Sequence, residues 1–442
     1  MSAPHSRELS WRDPSVLAQA LAAEVGAEGL VLLQGDGSVL GQRALLGVAP
    51  METVCCRGLP GEPGAADPFA TLRAMGHRGG SWLGWLAYEA GAWLEPSVPW
   101  RSPEMAILWA ARYDPLIHFD LAGQRCWLEG ENPERMQVLA ERIEALPPDD
   151  RSAGAAAKAA AIPLTDWHWH TSPERYADQV RQLLDWIGRG DIFQANLTAC
   201  CQHDCSEPPD PLALWERLRR QCPAPFAGMA IGAAEAMGEA LISASPERFL
   251  RLCSDGLVES RPIKGTRPRS ADAARDAAAA ADLITDPKDR AENVMIVDLL
   301  RNDLGRVCEP GTIAVPQLVG LESYPQVHHL TSVVRGQLRP DLDRVDLLRA
   351  CWPGGSISGA PKLRACTRLY GLEPVPRGPY CGSLFHWGAD GSFDSSILIR
   401  TLMVQGNRLR LHAGGGIVAD SDPQAEAEEM GWKIRPLLEA LA

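Results

Sequence analysis

Three dipeptides fix where helices begin in this chain, and the segments between them limit the fold. Ser172-Pro173, Asp286-Pro287 and Asp422-Pro423 each place a capping side chain before a proline. Proline at the first helical position loses no hydrogen bond, and the Ser or Asp oxygen accepts from an otherwise unpaired N–H. The first pair opens a helix carrying Tyr176, Val180, Leu183, Leu184 and Ile187, which ends near Gly188-Arg189-Gly190. The second opens a helix with Glu292, Met295, Leu299 and Leu300; the third opens another. Between and before them lie short apolar runs, at 29–34, 82–88, 105–113 and 191–198, that read as strands. Strands and helices alternate irregularly, and many strand runs alternate apolar with polar residues. That pattern predicts an α+β fold with antiparallel sheets, not a doubly wound parallel one.

The 442 residues suffice for two or three domains or one large unit. Leu146-Pro147-Pro148-Asp149-Asp150 and the alanine-rich stretch after it, up to Ile162-Pro163, read as a linker over 147–164. It separates an N-terminal region, 1–146, from a C-terminal one, 165–442. Residues 270–281 read as a solvated helix or surface loop. A net charge of −13 argues against a broad nucleic-acid surface. No apolar run approaches the roughly 18–20 residues a membrane span needs, and the polar N-terminus predicts no signal peptide. The twelve cysteines are irregularly spaced. Cys200-Cys201-Gln202-His203-Asp204-Cys205 lacks a second ligand pair at zinc spacing, so these read as structural thiols in a reducing cytoplasm.

The segment Arg261-Pro262-Ile263-Lys264-Gly265-Thr266-Arg267-Pro268-Arg269 sets a lysine in a Pro/Gly-bounded turn with three arginines close by. Most such clusters are solvated turns. Neighbouring positive charge and burial both favour a neutral, nucleophilic amine. Ser245-Pro246-Glu247-Arg248-Phe249 lies just before, between two runs that read as paired strands. A glutamate there is usually at the surface; partly buried, it would be a general acid. Asp289-Arg290-Ala291-Glu292 contributes one acid on a helix, and Glu426, Glu429 and Lys433 share one face of another. An acidic helix N-terminus is often a dipole effect, whereas hard carboxylate oxygens together suit Mg2+. Gly354-Gly355-Ser356-Ile357-Ser358-Gly359-Ala360-Pro361-Lys362 and Gly414-Gly415-Gly416 are glycine-rich loops able to approach an anion closely; neither is a Walker A motif.

Taken together, R-P-I-K-G-T-x-P-R, S-P-E-R-F, K-D-R-A-E-N-V-M-I-V-D-L, G-G-S-I-S-G-A-P-K and A-G-G-G-I-V-x-D-S-D-P resemble the chorismate-utilising enzymes, densely over about 165–440 and loosely before. The resemblance implies a two-layered antiparallel β-sandwich flanked by helices, with the active site between the sheets. The lysine marks the aminodeoxychorismate-forming branch; the anthranilate-forming sister branch usually has alanine there. It implies Lys264 as nucleophile, Glu247 as general acid, and His329 near the reacting ring. Glu292, Glu426 and Glu429 would hold Mg2+ against the ring carboxylate of chorismate. Gln194, Gly265, Thr266, Ser358, Tyr380, Arg400, Gly414, Gly415, Gly416 and Lys433 would line the substrate. Gln194 stands where water-using relatives carry a lysine, so water attack is disfavoured. Near Leu32-Leu33, Gln34 and Gly35 stand where a tryptophan-binding L-L-E-S has Glu and Ser, a change that counts against tryptophan feedback and leaves tryptophan binding open. No cysteine elbow with a downstream His-x-Glu is seen and the chain stops at Ala442. The expectation is therefore ammonia from a separate glutamine amidotransferase subunit and no fused lyase. Anthranilate formation, or a catalytically silent chorismate-binding subunit, are the alternatives.

Overall fold

In the computed structural model, residues 5–147, 161–324 and 327–442 are described. Most of the expected linker, residues 148–160, lies outside them. The helix starts fall where capping chemistry puts them. Ser172 accepts from Arg175 N–H at the head of Pro173–Gly188, Asp286 from Asp289 at Pro287–Gly305, and Asp422 from Gln424 and Ala425 at Pro423–Leu441. Residues 270–281 fall mostly in the largely exposed helix Ala273–Thr285.

Among the described residues two antiparallel sheets form, of twelve and ten strands. The first runs from His5–Leu9 at one edge, through Val31–Gln34, Phe226–Ile231, Glu239–Ser245, Thr401–Gln405 and Arg408–Ile417, to Gln194–Asp204 and Gly359–Ala360. The second runs from Ile263–Pro268 through Val327–Gln337, Arg248–Leu252, Phe393–Ile397 and Ser81–Leu86 to Glu52–Cys56. The first 147 residues supply strands to both: Val31–Gln34 pairs with Phe226–Ile231, and Ser81–Leu86 with Ser383–Trp387.

Neighbouring residues of the first sheet serve different cores. Leu241 packs with Trp85, Trp109 and Phe249, whereas Ile242 packs with Leu17, Tyr176 and Ile434. Side chains alternate across a strand, so this sheet is covered on one face by helices and on the other by the second sheet. That double cover explains why Glu239–Ser245 is buried at every position. It also corrects one expectation. The strands flanking Glu247 are not partners: Glu239–Ser245 belongs to the first sheet and Arg248–Leu252 to the second. Ser245-Pro246-Glu247 is the crossover between them.

Candidate active site

Lys264 lies on the strand Ile263–Pro268, not in a free turn. Its pairing with Val327–Gln337 slips between Ile263 and Thr266, and Gly265 sits at φ +83°. A bulge of this kind bends a strand and re-aims one side chain. A Cβ at Gly265 would come within 2.9 Å of Asp289 and Leu283, so the helix Pro287–Gly305 packs directly onto the bulge. The three arginines nearby do not crowd the amine. Arg261 pairs with Glu322, Arg267 with Asp282, Asp286 and Asp289, and Arg269 with Asp276.

The Lys264 ammonium donates to the Ser356 carbonyl at 3.4 Å and stands 3.7 Å from Glu292 Oε2. Ser356 also lies beside Glu247 and favours its ionised carboxylate. Burial pushes Glu247 up to about 7, against the pull of Ser356 and Lys264. A carboxyl so placed is partly protonated near neutrality and able to give its proton to a leaving hydroxyl. His329 is buried beside the bulge, its Nδ1 2.8 Å from Thr266 Oγ1. Burial and the Arg400 charge hold it down to about 3, so the ring is neutral.

The strand Arg408–Ile417 carries Gly414-Gly415-Gly416 near its end, and successive glycines there face different groups. A Cβ on Gly416 would lie 2.7 Å from Gln194 Nε2, 3.0 Å from Glu292 Oε2 and 3.1 Å from Lys264 Nζ. A Cβ on Gly415 would lie 3.2 Å from Glu426 Oε2 and 3.5 Å from Lys433 Nζ. Three residues without side chains thus bring the acids of the C-terminal helix and Lys264 around one strand end. Both amide atoms of Gln194 are buried with no hydrogen-bond partner among the described residues.

Each acid of the expected triad is matched by a lysine. Glu292 faces Lys264; Glu429 pairs with Lys433 at 2.8 Å; Glu426 accepts from Lys288 at 2.6 Å and from Ser421 Oγ at 2.6 Å. Burial raises Glu292, outweighing Lys264 and Lys288, whereas the Lys433 charge holds Glu429 below the usual carboxylate range. Lys433 also donates to Gly414 O at 2.9 Å. Among the described residues no three acids, histidines or cysteines converge into a ready-made cage for an ion. The donor set still fits Mg2+ in kind: hard oxygens, no sulfur or imidazole, three negative charges.

The rest of the wall is built from loops. Tyr380 is buried and stacked on His412, ring centroids 5.0 Å apart. Arg400 adopts φ +51°, strain of the sort that surrounding structure must enforce. No hydrogen bond or ion pair reaches its guanidinium among the described residues. The Ser358 hydroxyl is spent within its own loop, donating to Gly354 O at 2.8 Å.

Three contributors have no role assigned from the sequence, although Lys288 opens the K-D-R-A-E-N motif and Arg377 the R-G-x-Y-x-G segment before Tyr380. Lys288, one turn before Glu292 on the same helix face, was visible as an i, i+4 neighbour. Arg377 is fully buried; it grips Glu373 with two nitrogens and donates to Ile357 O and Asn196 O, each at 2.7 Å. It ties the loop before Ser358 to the strand that begins at Gln194. Tyr176 OH donates to Leu197 O at 3.1 Å, on the strand that pairs with the glycine run. Tyr176 has no local sequence signal for this contact.

Comparison with known proteins agrees with this geometry. Residues 60–439 match the chorismate binding enzyme family. The chain is 38% identical over 381 residues to an aminodeoxychorismate synthase of Streptomyces pristinaespiralis, covering 81% of this chain and 50% of that protein. It is 44% identical over 290 residues to aminodeoxychorismate synthase component 1 of Klebsiella aerogenes, covering 65% of this chain and 63% of that one. The chain therefore spans between half and two thirds of the length of these relatives. The crystal structure of anthranilate synthase component I from Streptococcus pneumoniae TIGR4 superposes with a TM-score of 0.76 at 27% identity, over 91% of this chain and 93% of that one.

Proposed function

This chain belongs to the chorismate binding enzyme family, and from that premise we propose that it aminates chorismate to 4-amino-4-deoxychorismate, the precursor of 4-aminobenzoate and folate. The observation that carries the reading is the meeting of Lys264 and the buried Glu247 at Ser356: Lys264 donates to the Ser356 carbonyl at 3.4 Å, and both Ser356 and Lys264 act on the Glu247 carboxyl. One residue thereby sets a proton-giving acid and an amine side by side.

In this reading the Lys264 amine, once it has lost its proton, attacks C2 of chorismate. Glu247 protonates the C4 hydroxyl, which departs as water. Ammonia then bonds to C4 and the C2–lysine bond breaks, returning the amine. Chorismate and ammonia give aminodeoxychorismate and water, and covalent catalysis has split one displacement into two. The unpaired Arg400 guanidinium and Tyr380 suit a carboxylate of the substrate. Gln194 cannot act as a base, which favours ammonia over water. Mg2+, held by Glu292, Glu426 and Glu429, would neutralise and orient the ring carboxylate. Ammonia would come from a glutamine amidotransferase subunit, in keeping with the component 1 name of the Klebsiella relative.

The test is product identity with chorismate, Mg2+ and ammonium. Aminodeoxychorismate yields a fluorescent aminobenzoate only after a lyase is added; direct anthranilate fluorescence would overturn the proposal in favour of the sister reaction. With Lys264→Ala, the lysine adduct detected by intact-protein mass spectrometry should vanish. Glutamine should replace ammonium only once the amidotransferase is present.

A further inference from the structure

The lysine on Glu426 has no part in the steps above, yet it stands where those steps want a divalent ion. Lys288 Nζ lies 2.6 Å from Glu426 Oε1, and the Glu426 side chain is only 3% exposed. A buried carboxylate without a cation is costly, so some positive group must face Glu426 when no ion is bound.

We propose that Lys288 is a resident counter-cation that a divalent ion must displace, so that metal binding at Glu426 is an exchange of one cation for another. This inference rests on the metal reading above and adds a rule for how the ion enters. The Lys288 side chain is about one third exposed (32%), so its ammonium has solvent to swing into. Glu426 keeps its second partner, the Ser421 hydroxyl, which holds the carboxylate in place during the swap. The arrangement also accounts for three acids that share a site without closing into a cage: each is held apart by its own lysine.

Exchange and anchoring predict opposite signs. If Lys288 competes, Lys288→Met removes the competitor and Mg2+ binds tighter. The expected change is about tenfold, the factor implied by one charge-assisted hydrogen bond that no longer has to be broken. If Lys288 instead positions Glu426 for the ion, the same variant binds Mg2+ more weakly. Calorimetric titration of Mg2+ into the chain without chorismate reads this directly, and Mn2+ paramagnetic resonance gives an independent count of bound ion. Lys288→Arg keeps the charge and should stay near wild type. Unchanged or weaker binding in Lys288→Met, with an intact circular dichroism spectrum, overturns the exchange. Glu426→Gln separates the two layers of the argument: if it leaves Mg2+ binding untouched, the ion is not at Glu426 and the metal reading itself fails.

Discussion

Around Glu247 two sheets close on a single carboxyl, while at the ends of two helices three carboxylates face three lysines. At the first place the side chain is buried and has one distant cation; its proton is held up to about 7. At the second, Glu429 is held down by a lysine one helical turn away. In the proposed reading the four glutamates divide into one proton donor and three cation holders, and the difference lies in what their neighbours supply rather than in the residue. The crossover between sheets excludes water from Glu247. The helices instead present lysines at fixed spacing.

The sharpest way to break this division is Glu247→Gln. It keeps shape and hydrogen bonding but removes the proton, so turnover should fall by about 10²–10⁴-fold, the usual share of a general acid, with the fold unchanged by circular dichroism. Retained turnover would move the acid elsewhere. Gly416→Ala comes next. Its Cβ would sit within about 3 Å of Gln194, Glu292 and Lys264, and we expect roughly a hundredfold loss, since small misplacements near reacting groups cost that much. Activity near wild type would mean the glycine is not lining the reacting hollow.

Glu426→Gln and Glu429→Gln probe the other region. Each should raise the Mg2+ needed for half-maximal rate by about tenfold or more, while Glu247→Gln should leave it alone. Equal effects from all three would erase the distinction. A pH comparison is finer. Because Glu247 holds its proton more tightly folded than unfolded, its stabilising share is full below 4.5 and is lost as pH rises through about 7. Wild type should therefore lose up to about 3 kcal/mol relative to Glu247→Gln between pH 5 and 8, measured by urea unfolding. The smallest effect belongs to Glu428→Gln, an exposed acid on the same helix; it should shift stability by less than about 0.5 kcal/mol and leave the Mg2+ requirement unchanged.

Much of this was written locally in the chain. Ser172, Asp286 and Asp422 announce their helices because capping uses residues two or three apart. Glu247, Lys264 and the helix acids announce themselves through motif wording. What failed to show is non-local. The strands on either side of Glu247 look like a hairpin until the sheet each joins is known. Pro262 and Gly265 look like turn residues, but Gly265 serves a bulge whose partner is some sixty residues away. The arginines around Lys264 look like a positive cluster because their carboxylate partners lie on other elements. Arg377 stands in a recognisable R-G-x-Y-x-G segment, but its task of tying Ile357 to Asn196 shows only once those carbonyls stand beside it.

The way both sheets draw strands from the first 147 residues also sets a timetable for synthesis. Val31–Gln34 waits for Phe226–Ile231, and Ser81–Leu86 waits for Ser383–Trp387. At roughly 5–20 residues per second on the ribosome, the second of those pairings is delayed by about 15–60 s after its first strand emerges. During that interval Ser81–Leu86, which is almost wholly apolar, has no partner on one edge. Long-range pairing of this sort is slow and leaves chains open to aggregation, so a nascent chain of this architecture is a natural client for chaperones that shield unpaired strands.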